Sequence, residues 1–233
     1  AAHIPGARFA DVRASLHTRA DGLTLQMLPA DLLRERLAAL GISDDSHVVV
    51  YQSDDWFSPA TRLMLTLHYA GLARVSMLDG GLPAWVREQR PVTADVPAAR
   101  AGTLSPLALR PVVVDAAFVE ANIGKPGVAV VDARTAAFYS GAQTGGSQTA
   151  PHKTGHIEGA VSLPFNTLTS DEGFLKPEKA LRLLFTAAGV KPGDTVVAYC
   201  HIGQQATAVI LAARLLGHNV LLYDGSFEDW SRR

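Results

Sequence analysis

The 233-residue sequence contains a single cysteine, Cys200. One thiol cannot close an internal disulfide, and it cannot build a cysteine-rich zinc site. An excess of charge is lacking too. The 21 Lys and Arg face 22 Asp and Glu, for a formal net charge of −1, so nothing in the balance points to nucleic acid or an anionic membrane surface as a partner. No apolar run approaches the ~20 residues that span a bilayer. The opening "AAHIPGARF" has neither the charged n-region nor the apolar h-region of a signal peptide. It does not begin with Met, so a lost leader stays open, with the cytoplasm the expected compartment. What the chain does have is 48% hydrophobic and 18% charged residues, enough to bury a full core in one large or two smaller domains.

It also has an internal repeat. "HIPGARF" (3–9) matches "HIEGAVSLPF" (156–165). "LPADLLRERLAALGISDDSHVVVY" (28–51) matches "LKPEKALRLLFTAAGVKPGDTVVAY" (175–199), and "VSMLDGGLPAW" (75–85) matches "VLLYDGSFEDW" (220–230). One domain has been duplicated. In each copy, short β-branched runs such as "TVVAY" read as strands buried on both faces of a parallel sheet. "ATAVILAARLLG" reads as the following helix, with Gly217 as its stop. Strand, helix, strand in about 30 residues is a βαβ unit. The fold class expected is therefore α/β, with two like domains, each a mostly parallel sheet flanked by helices. The boundaries expected are 1–95 and 112–233. The linker, 96–111, falls in the Pro- and Ala-rich stretch 88–111. The Gly-rich segment 140–155 reads as a mobile loop inside the second copy.

Cys200 follows the strand "TVVAY" directly, and a helix starts within about six residues. A lone Cys is often a buried apolar residue, yet the carboxyl ends of parallel strands are where α/β sheets bind ligands. Unpaired N–H groups at the helix start, with the helix dipole, favour a thiolate there. The first copy holds Gln52 at the matching position, with Asp54 and Asp55 where an anion would be repelled. One active and one inactive copy is the simpler account.

The ordered set "VVDAR" (130–134), "GHIEGAVSLPF" (155–165), "VVAYCHIGQQAT" (196–207) and "LLYDGSFEDW" (221–230) resembles the tandem-domain rhodanese sulfurtransferases. "HIPGARF" and "LDGGLPAW" resemble their inactive first domain. The resemblance implies a Cys200 persulfide. The thiolate takes the outer sulfur of thiosulfate, and a thiophilic acceptor such as cyanide removes it, in two covalent steps. It implies that Arg134 binds the donor's anionic end, through a guanidinium fork suited to sulfonate or carboxylate oxygens. Asp132 then buttresses the loop. His201, Ile202, Gly203, Gln204 and Gln205 curl their backbone N–H groups around the terminal sulfur, Gly203 supplying an angle other residues resist. His201, titrating near neutrality, can donate a proton or partial positive charge. The resemblance implies small-molecule partners, no cofactor and a monomer.

Thiosulfate-preferring members of that family often carry basic residues after the cysteine, and mercaptopyruvate-preferring ones a Gly-Ser pair. His201-Ile202 matches neither pattern. Thiosulfate is the expected donor, with 3-mercaptopyruvate the alternative and a non-catalytic binding module the lesser one. A cysteine phosphatase would need an arginine six residues after the cysteine, where this chain has Ala206. His152 and His156 have the i, i+4 spacing of a helical zinc pair, but flanking Pro and Gly speak against a helix, so no metal is expected. Trp85 and Trp230 read as packing residues. Finally, "VAVVDAR" precedes His156 by 22 to 28 positions, whereas His3 has two residues before it. The first domain is therefore expected to lack its N-terminal strand, to have one strand fewer than the second, and to be the less stable.

Overall fold

The computed structural model describes residues 2–53, 57–98, 100–147 and 151–233. Asp54 and Asp55 lie outside the described residues. The chain divides into two compact units. The first comprises Ala1–Thr18, Met27–Arg110 and Asp171–Leu175, and the second Arg19–Gln26, Pro111–Ser170 and Lys176–Arg233. No helix among the described residues is long and apolar enough to cross a membrane.

An early hairpin, β1 (His17–Ala20) and β2 (Leu23–Met27), forms a two-stranded sheet of its own. Its turn, Asp21-Gly22, holds both residues at positive φ, 52° and 74°, the signature of a tight two-residue turn that Asp-Gly favours.

The first unit centres on β3 (Val48–Val50), which pairs in parallel with β4 (Val75–Met77). Its core gathers Leu16, Leu33, Leu37 and Leu67, each fully buried. Residues 100–110 belong to this unit. Gly102 N–H donates to Ala38 O, Ser105 bonds both carboxylate oxygens of Asp44, and Leu104 sits in the core. Most of the stretch read as a linker is thus packed structure, since its polar backbone finds partners on the helix-to-strand loop of residues 38–44.

The second unit holds a five-stranded sheet made of β5 (Val113–Val114), β6 (Val128–Asp132), β7 (Val161–Ser162), β8 (Thr195–Tyr199) and β9 (Val220–Tyr223), in the order β5-β9-β8-β6-β7. Every pairing is parallel. Four of the five residues of central β8, from Val196 to Tyr199, are fully buried, as a strand covered by helices on both faces must be.

The duplication extends to individual hydrogen bonds. Ile157 N–H donates to Tyr199 Oη at 3.1 Å, and Ile4 N–H to Tyr51 Oη at 3.3 Å. Phe227 N–H donates to Cys200 O, and Leu82 N–H to Gln52 O, both at 2.9 Å. The parallel sheets differ by more than the one strand expected. The parallel sheet of the first unit has two strands and that of the second five, among the described residues. The pairing scheme explains part of this. β7 pairs only with β6, so Arg8–Phe9, its counterpart by direct count from Ala7, has no neighbour with which to form a strand.

His17 in the first unit is 6% exposed. One ring nitrogen, Nδ1, bonds Val12 O at 2.7 Å, while Nε2 accepts from Arg62 Nε at 2.8 Å. Burial first, then the Arg62 charge, push its pKa down to about 3. The ring is neutral in the fold, and the unfolded chain binds its proton below about 6.5. This contribution to stability is complete above pH 6.5 and is lost as pH falls from there towards 3, at about 1.4 kcal/mol per pH unit. Thermal unfolding of wild type and His17→Gln between pH 7 and 4 should show a steeper acid loss in the wild type. Equal slopes would show that His17 titrates alike in both states.

Candidate active site

Cys200 is the first residue beyond β8, and the helix Ala206–Leu215 begins six residues later. The thiol is free and fully buried. Its amide donates to Ser226 Oγ at 3.2 Å, and that hydroxyl donates to Tyr223 O at 2.9 Å. Cys200 O and His201 O accept the N–H groups of Phe227 and Glu228, both at 2.9 Å. The entry to the loop is thereby stitched to the start of the short helix Ser226–Trp230. Ser226 makes this possible by taking φ 52° while fully buried, a left-handed angle that costs a non-glycine residue on the order of 1 kcal/mol. The sequence reading missed Ser226. The signal lay in the repeat, because its counterpart, Gly81, takes φ 57°.

Gly203 takes φ 79°. Gln204 is buried, and its carbonyl accepts from both Thr207 N–H and Thr207 Oγ1. Gln205 Oε1 is buried without a partner among the described residues. The N–H groups of His201, Ile202, Gln205 and Ala206 find no acceptor among the described residues. His201 and Ile202 are half-buried.

Below the loop lies a buried ion pair. Arg134 Nε donates to both oxygens of Asp132 at 3.0 and 3.1 Å, and Nη2 donates to Asp132 Oδ2 at 2.6 Å and to Gly155 O at 2.8 Å. Asp132 also accepts from Arg134 N–H and from Tyr199 Oη. The guanidinium carbon lies 3.9 Å from the centre of the Phe227 ring. Arg134 is 1% exposed, neither a surface residue nor an open fork. Two of its three nitrogens serve Asp132 and Gly155, and only Nη1 carries no hydrogen bond among the described residues. Burial and the Asp132 charge drive the Tyr199 pKa far above its ordinary value, so its hydroxyl stays a donor.

Burial, followed by the charges of Arg134 and His152, pushes the pKa of His201 down to about 4, so at neutral pH the residue carries no positive charge. Its ring meets Phe138 edge-on, with centroids 4.5 Å apart, and His152 lies 6.0 Å away. In the segment read as mobile, residues 148–150 lie outside the described residues. Gly146 bridges Pro151, and a Cβ on Gly145 would lie 2.7 Å from His201 Nδ1. His152 and His156 are not on a helix. His156 stacks on Tyr139 and bonds its carbonyl, while His152 Nδ1 is buried without a partner among the described residues. Trp230 packs edge-on against Tyr223, and Trp85 donates to Pro91 O.

A parallel α/β unit built twice, with a cysteine between central strand and next helix in the second copy, defines the class. The chain belongs to the rhodanese-like domain family, which it matches over residues 1–88 and 115–233. Among particular proteins, it is 32% identical over 234 residues to thiosulfate sulfurtransferase of Rattus norvegicus, covering 99% of this chain and 78% of that protein. It is 33% identical over 242 residues to 3-mercaptopyruvate sulfurtransferase of Mus musculus, covering 99% and 77%. Of solved structures, YnjE superposes with a TM-score of 0.88 at 25% identity, over 100% of this chain and 57% of that one. A complex of EanB with ergothioneine superposes with a TM-score of 0.87 at 21% identity, over 100% and 59%. The chain thus spans less than three fifths of either solved chain.

Removing one member of a buried ion pair strands the other's charge. Arg134→Ala should destabilise the second unit by about 3–5 kcal/mol, read by urea unfolding. The paired change Asp132→Leu with Arg134→Met should cost clearly less. Equal losses would mean that the two side chains contribute independently.

Proposed function

We propose that this chain is a sulfurtransferase that carries a sulfane sulfur on Cys200. The observation behind the proposal is the setting of its one thiol. Cys200 stands at the end of the central strand, at the head of a loop whose amides at His201, Ile202, Gln205 and Ala206 are unspent within the described protein. Such amides can stabilise a thiolate or a terminal persulfide sulfur.

In this reading thiosulfate is the donor. The Cys200 thiolate attacks the outer sulfur, the donor's S–S bond breaks, and sulfite leaves with the electron pair. Cyanide or a thiol then attacks the terminal sulfur of Cys–S–S⁻ and restores the thiolate. Arg134 meets the donor's anionic oxygens through Nη1, and Asp132 keeps the guanidinium aimed. Neutral His201 contributes a hydrogen-bonding ring rather than charge. The other donor, 3-mercaptopyruvate, stays in view because relatives of that name match as well as those named for thiosulfate. One is a probable 3-mercaptopyruvate sulfurtransferase of Pseudomonas aeruginosa, 34% identical over 235 residues. A binding module without catalysis would have no use for the retained thiol.

Thiocyanate formation from thiosulfate and cyanide should be lost in Cys200→Ser, because an alcohol is too weakly ionised to act. Intact mass after thiosulfate treatment should rise by about 32 Da, one sulfur atom, in the wild type only. Turnover by the Ser variant would sink the assignment. The same assay with 3-mercaptopyruvate ranks the two donors by kcat/KM. Arg134→Lys, which keeps the charge but not the fork, should raise donor KM more than it lowers kcat. Finally, His201→Gln should leave the pH–rate profile between pH 5.5 and 8 unchanged in shape, since a ring titrating at about 4 is neutral throughout. A limb near pH 6.5 that vanished in the variant would contradict this.

A further inference from the structure

His152 brings a second imidazole to the cysteine loop. Its N–H donates to Gly145 O at 2.9 Å, and Gly146 bridges Pro151. The ring lies beside both ends of the loop's anchorage. One neighbour is His201, the residue after Cys200, with ring centroids 6.0 Å apart. The other is Phe227, with centroids 6.2 Å apart, whose N–H holds Cys200 O. Gly145 shows how closely the two histidines converge. A Cβ there would lie 2.7 Å from His201 Nδ1 and 3.2 Å from His152 Nδ1. The two ring nitrogens thus border one space, which the missing side chain leaves open.

His156, four residues on, spends its Nδ1 on the Tyr139 carbonyl and its face on the Tyr139 ring. His152 Nδ1 is buried, and no hydrogen-bond partner reaches it among the described residues. Buried polar atoms are nearly always paired, so an exception calls for a partner that the protein itself does not supply. The surroundings of the ring keep it a base. Burial, the largest effect, lowers its pKa from 6.5. Glu228 raises it, while Arg134 and Arg232 lower it. His201 faces it uncharged at neutral pH. His152 is therefore a neutral imidazole at pH 7, with one ring nitrogen free to take a proton.

We propose that His152 is the general base of the second half-reaction, taking the proton of a thiol acceptor on Nδ1 as that thiol attacks the Cys200 persulfide. The inference rests on the sulfur-transfer reading and deepens it, because it specifies the acceptor as a thiol that arrives protonated. The acceptor's S–H bond breaks towards Nδ1, and its electron pair forms the bond to the outer sulfur. The S–S bond to Cys200 breaks with its pair left on Cys200 as thiolate. The proton departs with the product, RS–S–H. An acceptor that is already an anion, such as sulfite, gains nothing from this base.

The test loads the 233-residue chain with sulfur from thiosulfate or 3-mercaptopyruvate, removes the donor, and mixes it with 2-mercaptoethanol or with sulfite in a single turnover. Intact mass follows the loss of the added sulfur. In the wild type, discharge by the thiol should stay level between pH 7 and 8, where His152 is neutral and the thiol mostly protonated. It should fall only below about pH 6.5, as the ring takes a proton. His152→Gln should slow discharge by the thiol about a hundredfold more than discharge by sulfite. The rate that remains should climb about tenfold per pH unit, as free thiolate forms. His156→Gln should match the wild type. A wild-type thiol rate that itself climbed tenfold per pH unit would mean unaided thiolate attack, and would overturn the proposal even if the variant failed to fold. So would equal slowing of the two acceptors in His152→Gln. If the wild type gained no sulfur from either donor, the sulfur-transfer reading would fall first, and this inference with it.

Discussion

The buried pair of Asp132 and Arg134 is the constraint around which the second unit is arranged. Both charges are withdrawn from water, which is tolerable only because each is satisfied on several sides. Asp132 accepts from the Arg134 backbone and guanidinium and from Tyr199. Arg134 also bonds Gly155 O and lies over Phe227. These partners come from β6, β8, the turn at residue 155 and the helix that starts at Ser226. One ion pair thus fixes the spacing of the elements beneath the cysteine loop, and the Arg134 charge adds to burial in holding the His201 pKa down, while Asp132 works against it.

The second fixed point is the Cys200 amide. A hydrogen bond to Ser226 removes the freedom of the residue that carries the thiol, while the amides of His201, Ile202, Gln205 and Ala206 stay unspent among the described residues. Preorganisation of this kind is what electrostatic stabilisation requires, because donors already in place need no rearrangement when charge develops. The left-handed angle at Ser226 is local strain offset by the three hydrogen bonds that follow from it.

Much of this was legible in the sequence. The run "TVVAY" declares a strand covered on both faces, the repeat declares a duplicated α/β unit, and a lone Cys at the strand's end marks the candidate site. What escaped was whatever depends on three-dimensional neighbours. Arg134 reads as an anion receptor because its type suits one, and nothing in "VVDAR" says that Asp132, two residues back, turns to meet it. His201 reads as a near-neutral titrator because burial is a property of the fold. The segment 140–155 reads as mobile from its glycines, yet Gly145 is there to let backbone approach a histidine ring. The Asp21-Gly22 hairpin was visible in principle but overlooked, since its flanking strands are short and largely polar.

Gly81 adds a point about history. It stands where the second copy has Ser226, and a Cβ there would lie 2.5 Å from the Gln52 side chain and 2.7 Å from its carbonyl oxygen. In the first copy a side chain at position 81 and the Gln52 side chain would thus compete for one space, whereas in the second Ser226 holds the Cys200 amide. Restoring the serine while Gln52 remains creates a collision, and restoring a cysteine at position 52 alone gives a thiol whose amide has no hydroxyl to hold it. The exchange between the two copies at these positions is therefore a paired one: serine with cysteine in the second, glycine with glutamine in the first.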